Sequence, residues 1–399
     1  MNDNLTEQCS AARWPRLLFR KTAIILLFAC LVVCFGGCRR KPTGGEPAYA
    51  YVANGKNDTV TVIDLATMRA SRTLAVGKSP TGMAASPTRP EVYVVNTDSG
   101  TVSVIDSHSN QVAGTIAVQR TPYFISLTDD GRWGYVANAG SNSVSVLDMD
   151  KHQAVAAIGV GQQPGLARVS KDGSVVVVSN RGSDSVSIID GPMHRLRAIV
   201  PACHNPEDIA ILADGSKAFV ACTGSNQVAA IDLKNARVLA FLKVGGVPVS
   251  LTLKPDGGEL FVCNYDAHTI SAINTTTNEV SESFLAGDNP AQAVVSSDSS
   301  LLFVSNRGSD TVAVFNINTR RMLVSVRVGD GPESLALSPG ETMLFVGDSS
   351  SGDAAVLRLD KRMNKKVVGP NPRLFTMVAT GADPRSVVIK GTEPEQAQK

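Results

Sequence analysis

One motif returns eight times along this chain at a constant spacing of 42 residues, and this repeat limits the possible folds more than any other feature. Each copy is an aromatic or aliphatic residue followed by Val and two further residues, the last of them usually polar. The copies start at Tyr51, Tyr93, Tyr135, Val177, Phe219, Phe261, Phe303 and Phe345. A fixed period of this length is typical of an array of similar units, in which no unit buries its apolar surface alone.

Two other features keep the same phase as the motif. One is an alternating segment of Val or Ile that ends in Asp or Asn, as in residues 60–64 and 102–106. The other is a corner that ends in proline, at Pro80, Pro122, Pro164, Pro206, Pro248, Pro290 and Pro332. Alternation with a period of two indicates β-strands. Each unit is therefore predicted to contain four short antiparallel strands, named A to D from the proline corner onward, with the motif on strand B.

The predicted fold is all-β, an eight-bladed β-propeller of 42-residue four-stranded repeats. Four short strands leave two apolar faces open, and radial packing of the units covers both faces. An eighth corner at Pro384 is followed by a strand at 386–389 but by no further motif, whereas the motif at Tyr51 lacks a preceding strand A. We therefore predict that the C-terminal strand completes the first blade. Seven blades with an extra terminal element is the alternative.

The N-terminus differs from the repeats. Four basic residues precede an apolar run at 22–35, and Gly36 and Gly37 stand directly before Cys38. A basic segment, a short apolar run and small residues before a cleavage point are typical of an export signal, and the site resembles a bacterial lipobox. We expect a signal peptide at 1–37 cleaved before a lipidated Cys38, a tether at 38–48, the propeller at 49–390 and a polar tail at 391–399. An uncleaved signal anchor is the alternative.

Charge and cysteine content limit the possible partners. After removal of residues 1–37 the chain carries 34 basic and 34 acidic residues, so it exerts no long-range attraction on nucleic acid, which is not an expected partner. Beyond Cys38 the cysteines are Cys203, Cys222 and Cys263. An odd number leaves at least one free thiol, and we predict no disulfide framework.

The motif Tyr-Val-x-Asn, followed by Val-Ser-Val-Ile-Asp and the proline corner, resembles the YVTN β-propeller repeat of surface-layer and YncE-like periplasmic proteins. The resemblance covers about residues 49–390. It implies a secreted propeller in the cell envelope, facing the periplasm or the cell surface, that acts as a binding or scaffold module. It identifies no ligand, because one fold hosts many functions. Propellers of related type include lactonases and the d1-haem domain of nitrite reductases.

Departures from the repeat indicate where a ligand is expected to bind. In a propeller the B–C and D–A loops share one face, called the top, and the A–B and C–D turns share the bottom. Arginine can donate paired hydrogen bonds to an anion, and tyrosine offers a stacking surface. Ordinary loop polarity is the alternative explanation for these residues. The candidates on the top face are Arg120, Tyr123, Arg168, Arg181, His204, Glu207, Tyr265, His268 and Arg307.

The remaining polar residues do not indicate a catalytic, metal or haem site. The asparagines that end strand B recur in most units, and a catalytic site needs one unlike copy, so they are expected to form turns. No His or Cys spacing is that of a metal or haem motif, and no nucleophile motif is found. We therefore expect no metal, no cofactor and no catalytic residues, and a protein, glycan or small polar ligand at the top face. A lactonase-like or redox-cofactor enzyme and a nucleic-acid-binding protein are the alternatives.

One insertion of ten residues interrupts the repeat in the eighth unit, between strands C and D. It carries the basic residues Lys361, Arg362, Lys365 and Lys366. A C–D loop lies on the bottom, where the N-terminal tether also enters. We therefore expect this loop to face the membrane, since each basic residue near anionic headgroups contributes about 1 kcal/mol. A solvated loop is the alternative.

Overall fold

Eight four-stranded antiparallel sheets make up the protein, as a computed structural model describes it for residues 48–359 and 372–391. The predicted signal peptide, Cys38, most of the tether, the basic loop with Lys361, Arg362, Lys365 and Lys366, and residues 392–399 lie outside the described residues. Each sheet is one blade with strand order A-B-C-D. The predicted all-β fold is confirmed.

Strand A lies innermost in every blade, and strand B pairs with it. The A strands of blades 1 to 8 are Pro384–Lys390, Pro80–Ala85, Pro122–Leu127, Pro164–Val169, Pro206–Ile211, Pro248–Leu253, Pro290–Val295 and Pro332–Leu337. The B strands in the same order are Tyr49–Asn54, Glu91–Asn96, Trp133–Asn138, Val175–Asn180, Lys217–Cys222, Glu259–Asn264, Leu301–Asn306 and Met343–Asp348.

Strands C and D complete each blade toward the rim. The C strands of blades 1 to 8 are Thr59–Asp64, Thr101–Asp106, Ser143–Asp148, Ser185–Asp190, Gln227–Asp232, Thr269–Asn274, Thr311–Asn316 and Asp353–Arg358. The D strands are Arg69–Ala75, Gln111–Ala117, Gln153–Gly159, Arg195–Pro201, Arg237–Lys243, Glu279–Leu285, Met322–Arg327 and Arg373–Ala379. Short 3-10 turns are found at Ala139–Ser141, Arg181–Ser183 and Pro339–Glu341.

The ring closes through both ends of the propeller sequence. Strand Pro384–Lys390 pairs antiparallel with Tyr49–Asn54, so that Val387 lies opposite Val52. The A strands of neighbouring blades contact one another in an unbroken cycle, from blade 8 through blade 1 to blade 2. The prediction that the C-terminal strand completes blade 1 is thus confirmed, and the seven-bladed alternative is wrong.

The core lies between the blades. Tyr51 and Val60 of blade 1 pack against Val92 and Ile105 of blade 2, and corresponding clusters lie between the other blades. The aromatic residue of the motif is fully buried, as Tyr51 illustrates. Burial of one such side chain contributes about 1.5–3 kcal/mol, so each aromatic residue of the motif stabilises the contact between two blades. The D strands, in contrast, are largely exposed.

The asparagine that ends strand B is structural, but its bonds differ from those expected. In blade 2, Nδ2 of Asn96 donates to Thr101 Oγ1 at 3.1 Å and to Ser103 Oγ at 2.9 Å, both on strand C. Gly77 in the preceding corner lies against this side chain, since a Cβ there would be 2.7 Å from Asn96 Cβ. The same glycine and asparagine contact recurs in blades 1, 4, 6 and 7. It joins the corner to the sheet at the top of each of these blades.

Candidate functional site

The A strands surround a central cavity of about 600 Å³ to which all eight blades contribute. The residue after the corner proline faces this cavity in seven of the blades. These residues are Thr81, Tyr123, Glu207, Val249, Ala291, Glu333 and Arg385. The loops after strand B stand above them at the top, where Arg307 also borders the cavity. The walls are therefore uneven in charge, although the backbone is nearly eightfold.

Arg181, Glu207 and Tyr123 form one cluster at the mouth of this cavity. Nη2 of Arg181 donates to Oε1 of Glu207 in the next blade. The Arg181 guanidinium also lies 5.2 Å from the centre of the Tyr123 ring, a cation–π geometry. Gly165 of strand A makes this position possible, because a Cβ there would lie 2.5 Å from Nε of Arg181. Three residues that the sequence predicted for the site are thus in contact.

A second cluster lies deeper in the channel. Nη2 of Arg168 is 3.3 Å from Oδ1 of Asp208, and its guanidinium lies 4.6 Å from the centre of the Phe124 ring. Asp208 is buried and also accepts hydrogen bonds from the backbone N–H of Ile209, at 2.8 Å, and of Leu251, at 2.9 Å. Asp208 in blade 5 therefore joins blades 4 and 6 across the channel wall.

The electrostatics of the mouth are set by burial and by the paired arginines. Burial raises the pKa of Glu207 above its ordinary value, and the charge of Arg181 opposes this shift. Burial likewise raises the pKa of Tyr123, although 40% of its surface faces the cavity. The Arg181 charge again acts in the opposite direction. Both groups are held in place by one guanidinium, and the cluster is organised before a ligand arrives.

Arg307 has a different environment from Arg181, three blades away. A hydrogen bond to Tyr265 raises the pKa of Arg307, and the nearby carboxylates of Glu333 and Asp383 act in the same direction. Arg307 also borders a second top-face cavity of about 600 Å³. That cavity is lined by Lys56, Ser349, Ser350, Ser351, Gly352, Thr380, Gly381, Ala382 and Asp383.

Three predicted site residues lie outside the channel. Arg120 is exposed in a top corner, where its backbone N–H donates to Ser141 Oγ at 3.1 Å. Nδ1 of His204 lies 2.9 Å from Oδ2 of Asp184 at the exposed rim. Nδ1 of His268 accepts the N–H of Asn289 at 3.0 Å. In blades 3 and 5 the equivalent of His268 is an Asn that makes the same bond. His268 is therefore a loop residue of the repeat.

The structure adds four charged residues that the sequence analysis did not select, namely Asp208, Glu333, Asp383 and Arg385. Nε of Arg385 lies 2.8 Å from Oδ2 of Asp383. The sequence did contain a signal for two of them. Glu333 and Arg385 directly follow a corner proline, as the predicted site residues Glu207 and Tyr123 do. A search for charged residues at this repeat position would have found Glu333 and Arg385. Asp208, one residue after that position, and Asp383, two residues before it, needed the three-dimensional arrangement.

The expectation of no disulfide framework is wrong in one respect, since Cys203 and Cys222 form a disulfide. Cys203 lies in the corner before blade 5, and Cys222 ends strand B of that blade, where most blades have Asn. The remaining described cysteine, Cys263, is free and buried. Burial raises the pKa of its thiol well above the ordinary range, so it is a poor nucleophile.

The bottom face holds a larger cavity of about 1000 Å³, lined mainly by A–B turns. Lys390 Nζ donates there to the carbonyl of Ser86 at 2.6 Å, which joins the C-terminal strand to blade 2. Within residues 48–359 and 372–391, no three His, Cys, Asp or Glu residues are grouped in a way that could hold a metal ion. The same part of the chain contains no helix with the length and hydropathy of a membrane span.

Comparison with known proteins identifies a matching family. The model of the family described as "YNCE-like beta-propeller" matches residues 45–338. No curated protein matches the chain.

Many solved structures resemble the fold. Citrobacter koseri AztD is 15% identical with a TM-score of 0.65, over 88% of this chain and 99% of that one. Dihydro-heme d1 dehydrogenase NirN, solved in complex with DHE, is 14% identical with a TM-score of 0.70, over 85% and 74%. Kuenenia stuttgartiensis hydrazine synthase is 22% identical with a TM-score of 0.58, over 70% and 95%. At these identities the likeness concerns the fold alone.

Proposed function

Because this chain belongs to the YNCE-like beta-propeller family, we propose that it is a non-catalytic binding module of the cell envelope, which recognises a protein, glycan or small polar ligand at the top of its channel. The observation that carries this proposal is the cluster of Arg181, Glu207 and Tyr123 at the mouth. The blades hold the ion pair and the Tyr123 side chain in place before a ligand binds. Little conformational entropy is therefore lost on binding.

The arrangement suits recognition by complementary polar contacts. Glu207 accepts from Nη2 of Arg181 and fixes the guanidinium, so the other N–H groups of Arg181 have a set direction. The exposed part of the Tyr123 ring supplies an apolar surface next to them. Aromatic and arginine side chains are the types that contribute most to binding energy at interfaces.

The test is capture of envelope components by the purified protein. Arg181→Ala and Tyr123→Ala should each lower the amount of captured partner at least tenfold, because both remove part of the mouth. The matched control is Arg237→Ala, which removes an exposed arginine paired with Asp232 at the rim and should leave capture unchanged. Equal capture by all three variants would place the binding surface elsewhere.

The proposed location is the envelope, with a lipid on Cys38. Two structural features support it. Among the described residues, strand B of blade 1 begins at Tyr49 at the bottom, and strand C of blade 8 ends at Arg358, also at the bottom and shortly before the basic loop in sequence. The disulfide between Cys203 and Cys222 is also of a kind that persists in oxidising compartments.

Two measurements test the location. Metabolic labelling with palmitate should label the wild-type chain and the Cys34→Ser control but not Cys38→Ser. In intact membranes, Lys365 and Lys366 should react more slowly with an impermeant amine reagent than after release of the protein by detergent. Full reactivity of both lysines on the membrane would show that the loop is solvated.

The alternative function is a redox-cofactor enzyme, which the likeness to NirN, a dehydrogenase solved with a bound ligand, favours. The central cavity would then hold the cofactor. Protein purified from its native envelope would carry a visible absorption band, and this band would be lost in a variant with a filled channel such as Ala291→Trp. Colourless protein that retains capture of an envelope partner favours the binding module.

A further inference from the structure

The residues Ser-Asn-Arg-Gly-Ser-Asp occur twice in the chain, at 179–184 and 305–310, three blades apart. Both copies end strand B and begin the following top loop. The arginine in the first copy, Arg181, is bound by Glu207 of the next blade. The residue at the position of Glu207 three blades later is Glu333, beside Arg307. The same side-chain pair is therefore available in both places.

The second pair is not formed. Among the described residues, no carboxylate oxygen lies within the 4.0 Å ion-pair distance of Arg307. The two copies differ in the residue on strand A beneath the arginine. Arg181 lies on Gly165, where a Cβ would be 2.5 Å from Nε and 2.8 Å from Cζ. The equivalent residue in blade 7 is Ala291, whose Cβ occupies this space. Val249 also replaces Tyr123, so the ring that holds Arg181 in place is missing.

Arg307 is consequently an exposed guanidinium at the boundary of two cavities. Its described partner is Tyr265. Lys56 lies on the wall of the same top-face cavity and is exposed, and so is Ser350. The wall of this cavity thus offers two cations and an exposed hydroxyl as donors, beside one carboxylate, Asp383. Paired donors of arginine match the oxygens of carboxylate and phosphate groups.

Two carboxylates modify this preference. Glu333 is exposed toward the central cavity and Asp383 lies beside Arg385. Both would repel an extended polyanion, but both can accept hydrogen bonds from hydroxyl groups. The surroundings of Arg307 therefore favour one anionic group on a molecule that is otherwise rich in hydroxyls.

We propose that Arg307 and Lys56 form the anion-binding part of the top-face site and that the ligand is an acidic sugar, held by its carboxylate or phosphate. This inference rests on the proposed binding function and specifies its ligand class. Ala291 is the positioning residue, because its methyl group keeps Arg307 away from Glu333.

The experiment is a titration of the purified chain with glucuronate, glucose 6-phosphate and glucose, followed by calorimetry or ligand-observed NMR. Glucuronate and glucose 6-phosphate separate a carboxylate from a phosphate preference, and glucose should not bind. Arg307→Ala should weaken binding of the preferred anion at least tenfold. Ala291→Gly should weaken it similarly although both arginine and glutamate remain, because Arg307 can then pair with Glu333.

The matched control is Arg327→Ala in the same blade, which removes an exposed arginine from the D strand and should bind as the wild type does. A thermal melt confirms that each variant is folded. Unchanged binding in both Arg307→Ala and Ala291→Gly overturns the proposal, as does failure of both anions to bind the wild type at millimolar concentration. If capture of an envelope partner through Arg181 persists in that case, the binding function stands and only the ligand class is wrong.

Discussion

The disulfide between Cys203 and Cys222 replaces the contact between a corner glycine and the asparagine at the end of strand B. In blade 4 that contact is between Gly161 and Asn180, where a Cβ on the glycine would be 2.5 Å from Asn180 Cγ. The two cysteines are 19 residues apart, as are the glycine and asparagine. Blade 5 thus joins its corner to its sheet covalently at the place where other blades use packing.

We expect loss of this disulfide to lower the free energy of unfolding. Closing a loop of this length contributes about 3 kcal/mol. Cys203→Ala/Cys222→Ala should unfold at lower urea concentration than the wild type, and a reducing agent should shift the wild type by a similar amount. The double variant serves as the control, because it should not respond to the reducing agent. A wild-type midpoint that is the same with and without reductant would contradict the prediction.

Asp348 is the one strand-B end that carries a carboxyl group, and it is fully buried. Burial and the adjacent Asp353 raise the pKa of Asp348 to about 8. The folded chain therefore keeps this proton up to about pH 8, whereas the unfolded chain loses it near its ordinary value of 3.8. Since the native state binds more protons in this window, its stability falls as the pH rises through it.

Asp348→Asn should remove this dependence, because an amide does not titrate, and six other blades accommodate Asn at this position. The stability difference between the variant and the wild type should grow by up to about 1.4 kcal/mol per pH unit from pH 4 to about pH 8, so the variant should be the more stable protein at pH 7. Urea denaturation at several pH values measures it. Asp330→Asn, at an exposed aspartate of the same blade, is the control. A stability difference independent of pH would show that Asp348 ionises normally.

Removal of the C-terminal strand should open the ring. Without residues 381–399, strand B of blade 1 loses strand A as its pairing partner, and Val387 is missing from the core between blades 8 and 1. We expect a lower melting temperature and loss of a single cooperative transition. Removal of residues 392–399 alone is the matched control and should leave the melt unchanged. An unaltered melt in the longer deletion would mean that the ring is held closed in another way.

Asp208 is expected to be a stability residue although it lines the channel. Asp208→Ala leaves the N–H of Leu251 and the guanidinium of Arg168 without their acceptor, at a cost of about 3–5 kcal/mol. Glu207→Ala changes the adjacent, half-buried residue of the mouth and should cost about 1 kcal/mol or less, since its ion pair with Arg181 lies partly in solvent. Chemical denaturation compares the two. Equal losses would contradict the assignment of Asp208 to the joint between blades.

The sequence by itself determined the fold and its closure. Each 42-residue unit carries its own alternation, corners and buried aromatic residue, and these local signals agree across eight copies, so only radial packing satisfies all of them. The odd strand at 386–389 and the missing strand before Tyr51 determined how the ends meet. The tertiary structure alone decided which departures from the repeat act together. Arg181 reaches Glu207 because Gly165 leaves space beneath it, whereas Ala291 keeps Arg307 exposed beside an equivalent glutamate. Such pairs join residues on different blades. The presence or absence of one methyl group determines whether the pair forms, because close packing leaves no room for a second arrangement.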